Sequence, residues 1–322
     1  MTDAARSTEP DDVDLQSTEG CRPDDLRECG SLHMLYFDAP EPRQMTPFPE
    51  TPPLEDGAEL QGHLWIQELP TGGRFRFSVA DSGLVTFGTA DETVAGADAV
   101  PPTYRRAADT ITTRLDRSAL RNGVDRPKQV TFFGRATRNE GIDYDWTALP
   151  PFVGIDIWSP HREGLLPPDT TATVFHRLGL PTLPAVEKEI DATHTDLRQY
   201  DTAAGLPASV WREGPAAAVL IRDKTGGRAH VQYPDRGPLP DPVRRAPADL
   251  AADYATDDRI KRTVDALTAE GPPPAVEEIR TRLVADLARE QYANLRESTG
   301  HVTATQAFRS TVAAHVQRYL ND

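Results

Sequence analysis

The hydrophobic pattern of the chain changes its period once, near Pro247, and this change restricts the fold more than any other feature. Between residue 63 and about residue 233, short apolar runs such as HLWIQEL, RFRFSVA and AAVLIRD alternate with turn signals, which is typical of β-strands. Two helices, 107–121 and 169–178, are predicted between these strands. Beyond Pro247, apolar residues recur every three to four positions and predict helices near 247–269, 275–297 and 303–320. The chain is therefore predicted to be α+β, with an all-helical end.

Composition divides the chain into three parts. Residues 1–33 form a leader rich in acidic residues, Ser, Thr and Pro that has little to bury, so we expect it to be disordered. Residues 34–240 are predicted to form the mixed α+β domain, and residues 246–322 a small all-α C-terminal domain. The two cysteines, Cys21 and Cys29, lie in the leader, and no Cys/His cluster has metal-ligand spacing. We therefore expect no metal centre.

The charge of the chain is strongly negative, and its basic residues are almost all arginines. The net charge is −15, and only four of the 35 basic residues are lysines, namely Lys128, Lys188, Lys224 and Lys261. This composition resembles that of haloarchaeal proteins, which stay soluble in concentrated salt. The acidity therefore argues neither for nor against nucleic-acid binding. Because the chain has neither an apolar run of about 18 residues nor a signal sequence, we expect a cytoplasmic protein without a membrane partner.

Five short windows carry residue types that chemistry could use. Each contains a glycine or a charged residue at or near the end of a predicted strand. In chain order they are ELPTGGR (68–74), FFGR (132–135), FVGIDIW (152–158), AAVLIR (217–222) and RAHV (228–231).

In their order and spacing, these windows resemble the motifs of the covalent nucleotidyltransferases, specifically of the ATP-dependent RNA ligases. The resemblance covers about residues 47–235 and, more loosely, the helical tail. It implies a nucleotidyltransferase ligase domain, with ATP-grasp-like antiparallel sheets flanked by helices. It also implies that the helical C-terminal domain orients RNA.

The residues that perform the chemistry of this family are replaced here. Leu69 stands where a lysine accepts AMP from ATP, and leucine has no lone pair with which to attack phosphorus. No lysine precedes Lys128, so a small shift of the alignment does not restore one. Arg135 replaces a carboxylate that holds ribose or metal, and Ala217 replaces one that assists metal binding. His230 replaces a lysine that contacts phosphate. A second register of the fourth window would place Glu213 at the position of Ala217.

Other residues match the family and are interpreted as a vestigial nucleotide-binding set. These residues are Glu68, Gly72, Arg74, Asp156, Arg222 and Lys224. Three of them have plainer explanations as well. Asp156 is also explained as a buried carboxylate whose oxygens are hydrogen-bonded. Arg74 is also explained as a residue on a solvated face of a sheet, and Lys224 as a residue in a solvated turn.

The leading hypothesis is a catalytically inactive pseudoenzyme that binds a nucleotide or an RNA end. Its partners would be RNA ends or an active ligase, it needs no cofactor, and its oligomeric state is open. A first alternative is an RNA ligase that retains some nucleotidyl transfer, either with ATP and Mg²⁺ or on pre-adenylated RNA. A second alternative is a non-enzymatic assembly module.

Overall fold

A computed structural model describes residues 45–322 except 57–58, 125, 203 and 234–236. The acidic leader and both cysteines lie outside the described residues, so the disorder predicted for 1–33 stays a prediction. The described residues belong to one compact unit, Gln44–Asp322.

Two antiparallel sheets make up the strand-rich part. One has the order β10-β9-β1-β8, and the other has the order β4-β3-β2-β5-β6-β7. A two-stranded ribbon, β11-β12, lies near the C-terminus. The strands are β1 (His63–Glu68), β2 (Gly72–Val79), β3 (Val85–Gly88), β4 (Thr93–Ala95), β5 (Thr131–Thr137), β6 (Phe152–Ser159), β7 (Gly164–Leu165), β8 (Ala185–Asp191), β9 (Ala218–Arg222), β10 (Arg228–Gln232), β11 (Arg296–Glu297) and β12 (Gly300–His301).

Seven α-helices are present among the described residues. The first three accompany the sheets, and the last four follow them. They are α1 (Pro102–Arg114), α2 (Arg117–Gly123), α3 (Pro168–Arg177), α4 (Pro247–Tyr254), α5 (Asp257–Glu270), α6 (Val276–Glu290) and α7 (Gln306–Asn321).

Alternation along β2 gives the six-stranded sheet one apolar face and one cationic face. Phe75 and Phe77 are fully buried in a core shared with Ile111 of α1. Successive side chains of a strand point to opposite faces, so Arg74 and Arg76 lie on the other side. The apolar face supports the sheet on α1, and the cationic face is left for the cleft described below.

Some predicted helix boundaries are wrong for identifiable reasons. The single helix predicted over 107–121 is two helices, because the backbone of Leu115 is extended and ends the first. Asp116 caps the second by accepting hydrogen bonds from the amides of Ser118 and Ala119. The helix predicted over 247–269 is broken at Ala255 and Thr256, where Thr256 has an extended backbone. The helix predicted over 275–297 ends at Glu290.

The helical end has its own core and also packs on the sheet part. Leu250, Leu283 and Phe308 belong to one buried apolar cluster. Helix α6 contacts α1, and its buried Arg289 donates a hydrogen bond to the hydroxyl of Thr137 on β5. Burial lowers the pKa of Arg289 to about 10. The predicted α+β class, with antiparallel sheets flanked by helices, is confirmed.

Candidate functional site

A cleft lies between the cationic face of the six-stranded sheet and one face of the four-stranded sheet. It encloses a cavity of about 230 Å³. Strands β2, β5 and β6 supply one wall, and β9 and β10 supply the other. The lining residues are Phe48, Pro49, Thr51, Leu69, Arg74, Phe133, Gly134, Arg135, Ile155, Asp156, Leu220, Arg228, His230 and Gln232. Five residues singled out from the sequence, Leu69, Arg74, Arg135, Asp156 and His230, therefore meet at one cavity.

Arg74 and Arg135 form a cationic pair on one wall of the cleft. They are directly opposite each other on the neighbouring strands β2 and β5, so their side chains share a face. Arg135 donates a hydrogen bond of 2.7 Å to the carbonyl oxygen of Gly72. Within the described residues, neither arginine forms a close ion pair, but the negative charge of Glu140 acts on Arg135. Burial lowers the pKa of Arg135, the negative charge of Glu140 opposes this shift, and the positive charge of Arg74 adds to it. The guanidinium remains charged at neutral pH.

Asp156, at the base of the cleft, is a carboxylate that is paired with two arginines. Its Oδ1 accepts a hydrogen bond of 2.6 Å from Arg222, and its Oδ2 accepts one of 2.6 Å from Arg228. All three side chains are buried. Burial alone would raise the pKa of Asp156, but the charges of Arg228 and Arg222 and their hydrogen bonds outweigh it and hold this pKa below its usual range. The ion pairs join the two sheets, because Asp156 lies on β6 and both arginines lie on β9 and β10.

The position of Leu69 makes one end of the cleft apolar. Its amide donates a hydrogen bond of 2.8 Å to the carbonyl of Ala218, which fixes the chain just after β1. The side chain belongs to a buried cluster that includes Leu220, Val153 and Ala217. Ala217 is part of this apolar cluster and is not among the residues that line the cavity.

The segment 45–53 crosses the cleft and contacts both sheets. The carbonyl of Thr46 accepts a hydrogen bond from Arg76 on β2, and the ring of Phe48 lies 5.8 Å from that of Phe133. At the other sheet, the amide of His230 donates to the carbonyl of Pro52 over 3.0 Å. His230 is therefore engaged by this segment as well as lining the cavity.

Four residues of the predicted set, Glu68, Gly72, Lys224 and the already described Arg222, are not among those that line the cavity. Glu68 is buried, accepts hydrogen bonds from the hydroxyl of Ser209 and the amide of Val210, and has its pKa raised by burial. Only glycine fits the backbone at position 72, since the φ of Gly72 is 152° and an added Cβ would lie 2.3 Å from the carbonyl oxygen of Ala136. Lys224 is partly exposed and forms an ion pair of 2.8 Å with Glu189.

Arg228 and Gln67 belong to the site but were not singled out from the sequence. Gln67 accepts hydrogen bonds from Arg222, and the Nε of Arg228 is buried without a hydrogen-bond acceptor in the described structure. Arg228 could have been found, because it pairs directly with Arg222 across the β9-β10 hairpin and is two residues from His230. The role of Gln67 depends on contacts between strands, which the sequence does not specify.

The cleft does not fit a divalent cation. Both oxygens of Asp156 are engaged by arginines, and a ligand set for Mg²⁺ needs free carboxylate oxygens. Among the described residues, no group of three or more His, Cys, Asp or Glu side chains could hold a metal ion. Within the same residues, no helix is long and apolar enough to cross a bilayer.

No family model and no curated protein sequence matches the chain. Solved structures similar to it include a Naegleria gruberi RNA ligase with PPi, at 10% identity and a TM-score of 0.45, covering 58% of this chain and 56% of that one. Two forms of an archaeal ATP-dependent RNA ligase are similar at 13% identity, with TM-scores of 0.41 and 0.42. They cover 85% and 86% of this chain and 65% and 66% of theirs. The chain thus spans less than two thirds of the length of these proteins. Likeness at this level does not establish an activity.

Proposed function

We propose that this protein is a ligase-like pseudoenzyme that binds a nucleotide or an RNA end in the cleft without becoming covalently adenylated. The observation that carries the proposal is Leu69, which lines the cavity where the sequence resemblance expects the nucleophilic lysine. None of the described residues that line this cavity is a lysine.

The chemistry of the cleft supports binding rather than transfer. Covalent nucleotidyl transfer needs a nucleophile with a lone pair, and the leucine side chain has none. In this family it also uses a metal ion, but the only acidic side chain lining the described cavity, Asp156, is already paired with two arginines. The proposed function therefore includes no step that uses Mg²⁺.

The lining combines an apolar part with a cationic part. Leu69, Ile155 and Leu220 supply apolar surface, while Arg74 and Arg135 supply positive charge. A nucleotide has the matching division into an apolar base and an anionic phosphate. Guanidinium groups bind phosphate through paired N–H donors, so this division favours a phosphate-bearing ligand.

Incubation of the purified protein with α-labelled ATP and Mg²⁺ or Mn²⁺, followed by denaturing electrophoresis, tests the proposal. We expect no labelled protein band. A covalent band would overturn the proposal, and the Lys224→Ala variant would then show whether the lysine on the β9-β10 turn is the labelled residue. Heat-denatured protein controls for label that is carried over without a bond.

Binding itself needs a second readout, because an absent band is also expected of an assembly module. Titration with AMP, ATP and a short 5′-phosphorylated RNA by calorimetry provides it. We expect binding of at least one of these ligands. If none of the three ligands gives a binding signal, the result would favour the assembly module.

A further inference from the structure

We propose that a second cavity, on the other face of the six-stranded sheet from the cleft, binds a small molecule with an apolar body and one anionic group. The cavity lies where the start of β5 and the end of β6 meet α2 and α3. It shares no lining residue with the cleft, so this inference is independent of the proposed function.

Alternation along β5 separates the second cavity from the cleft. Phe132 and Phe133 are consecutive, so their side chains point to opposite faces of the sheet. Phe133 lines the cleft, whereas Phe132 lines the second cavity. Ile157 lies directly opposite Phe132 on β6 and lines the second cavity as well.

The second cavity is large and has a fixed floor. Its volume is about 520 Å³, within the roughly 300–1,000 Å³ typical of small-molecule sites. The ring of Phe132 stacks on Phe77, with 4.7 Å between the ring centroids, and meets Phe175 edge to face at 6.0 Å. Protein cores leave few voids larger than a water molecule, so a space of this size is a preformed recess beside the core.

Apolar side chains form the floor and the walls of this recess. Three of them are buried and three are half-buried, and they are Val130, Phe132 and Ile157, and Val124, Leu166 and Val174, respectively. Water finds few hydrogen-bond partners against such a surface. Its displacement by the apolar body of a ligand is therefore favourable.

The mouth of the second cavity is polar. Arg126 and His161 are exposed there, and Gln129 and Ser159 are half-buried. Within the described residues, none of these four side chains forms a hydrogen bond or an ion pair. Their polar atoms are thus available to a ligand whose apolar body occupies the floor.

The charge at this mouth differs from that of the chain as a whole. Acidic residues outnumber basic ones by 50 to 35 in the sequence, yet none of the described residues that line the second cavity is acidic. Arg126 supplies a permanent positive charge, and guanidinium groups form strong hydrogen bonds with anions. The matching ligand is an apolar molecule that carries a carboxylate or a sulfonate.

Titration of the full-length protein with anilinonaphthalene sulfonate, with the dye excited directly, tests this inference. Phenylnaphthylamine has the same rings without the sulfonate and serves as the uncharged comparison. We expect saturable binding of the sulfonate at one site. Octanoate and naphthoate then compete for this site, and displacement by either supports the proposed ligand class, the stronger one showing whether the body is aliphatic or aromatic. Failure of both to displace the dye would overturn the proposal.

Variants of the floor and of the mouth assign the binding to the second cavity. Val174→Trp fills the recess and should weaken binding of both dyes at least about tenfold, since the loss of about 60 Å² of apolar contact has this effect. Thr173→Trp adds the same side chain at an exposed neighbouring position that does not line the cavity, and it should leave binding unchanged.

Arg126→Gln should weaken binding of the sulfonate by about threefold to tenfold and leave binding of phenylnaphthylamine unchanged. Arg177→Gln removes the same charge from an exposed position on α3 that does not line the cavity, and it should change neither. Each variant is first checked for a cooperative unfolding transition like that of wild type. Arg126→Gln keeps the test decisive if Val174→Trp does not fold, because the Arg126 side chain is exposed and makes no hydrogen bond within the described residues.

The outcomes separate this inference from the proposed function. Unchanged dye binding in Val174→Trp, equal effects of Arg126→Gln on the two dyes, or displacement of the sulfonate by AMP would overturn the second site and leave the proposed function in place. If AMP, ATP and RNA do not bind while the dye binds as expected, the proposed function fails and the second site stands.

Discussion

Two pairs of arginines lie at the same cleft in opposite electrostatic surroundings. Arg222 and Arg228 are buried and share the carboxylate of Asp156. Arg74 and Arg135 lie opposite each other nearer to solvent, and the charge of Glu140 acts on Arg135 without the close ion pairs that hold Arg222 and Arg228. The comparison teaches that the same residue type has two roles here. Arg222 and Arg228, with Asp156, join the two sheets, whereas Arg74 and Arg135 present positive charge to the cleft.

The largest expected effect on stability comes from breaking the ion pairs of Asp156 with Arg222 and Arg228. Asp156→Asn would leave two buried arginines without their carboxylate, and breaking a buried ion pair in this way costs about 3–5 kcal/mol. Denaturant unfolding should show this loss in the free energy of unfolding. Asp81→Asn is the matched control, because its ion pair with Lys128 is exposed and should contribute about 0–1 kcal/mol. A loss below 1 kcal/mol for Asp156→Asn would mean that this pair does not join the sheets.

The next largest expected effect on stability comes from replacing Gly72, whose carbonyl oxygen accepts the hydrogen bond from Arg135. Gly72→Ala should destabilise the fold by about 1–3 kcal/mol, because the backbone is strained for alanine and the new Cβ would collide with the carbonyl of Ala136. Thermal unfolding measures the change. Gly226→Ala shares the positive φ but has open space around the new Cβ, so its cost should be smaller. Equal costs for the two variants would contradict the collision.

Replacing Arg74 should change the free energy of unfolding in the opposite direction from replacing Asp156. Arg74→Gln removes repulsion from Arg135 and is expected to stabilise the ligand-free protein by about 0.2–1 kcal/mol. Arg177→Gln on the exposed face of α3 should stay within about 0.5 kcal/mol of wild type. Denaturant unfolding at low salt detects the difference, since salt screens the repulsion. Destabilisation by Arg74→Gln would indicate a carboxylate partner for this arginine.

The smallest expected effect is a difference in how the contributions of Glu68 and Asp156 to the free energy of unfolding depend on pH. Burial raises the pKa of Glu68, so the folded protein binds this proton more tightly than the unfolded chain. Its contribution to the free energy of unfolding is therefore full below about pH 4.5 and falls as pH rises through the folded-state pKa. The pKa of Asp156 is lowered, so its contribution is present above about pH 3.9 and is lost only below it.

Unfolding measured from pH 4 to pH 7 separates these two cases. The stability of wild type relative to Glu68→Gln should decrease as the pH rises over this range. The stability of wild type relative to Asp156→Asn should stay constant above about pH 5. A gap between wild type and Glu68→Gln that grows with pH would contradict the assigned direction.

Periodicity in the sequence was sufficient for the fold class and for most strands, but not for every element. Strand β8 was missed because its side chains are mostly exposed and charged, so it lacks an apolar alternation. The break at Asp116 was missed because apolar spacing continues across it, and only the capping hydrogen bonds reveal it. Boundaries set by single caps are therefore the least predictable part of the fold.

For the site, spacing along the strands placed Leu69, Arg135 and His230 in windows that meet at one cavity. The state of Asp156 was not predictable, because its two arginine partners lie 66 and 72 residues away in sequence. The position of the segment 45–53 over the cleft was not predictable either, because it depends on contacts with both sheets. Sequence reasoning thus located the cleft, while its charge balance required the three-dimensional structure.

The central claim is that the cleft has lost a whole catalytic site and not one lysine. Intact-mass spectrometry of wild type and of Leu69→Lys, each incubated with ATP and Mg²⁺ or Mn²⁺, tests this most directly. The variant is first checked for a cooperative unfolding transition like that of wild type. We predict that neither protein gains the mass of AMP, because Asp156 remains engaged by Arg222 and Arg228. An AMP adduct on Leu69→Lys would contradict the claim by showing that one side chain restores the chemistry, and an adduct on wild type would contradict it outright.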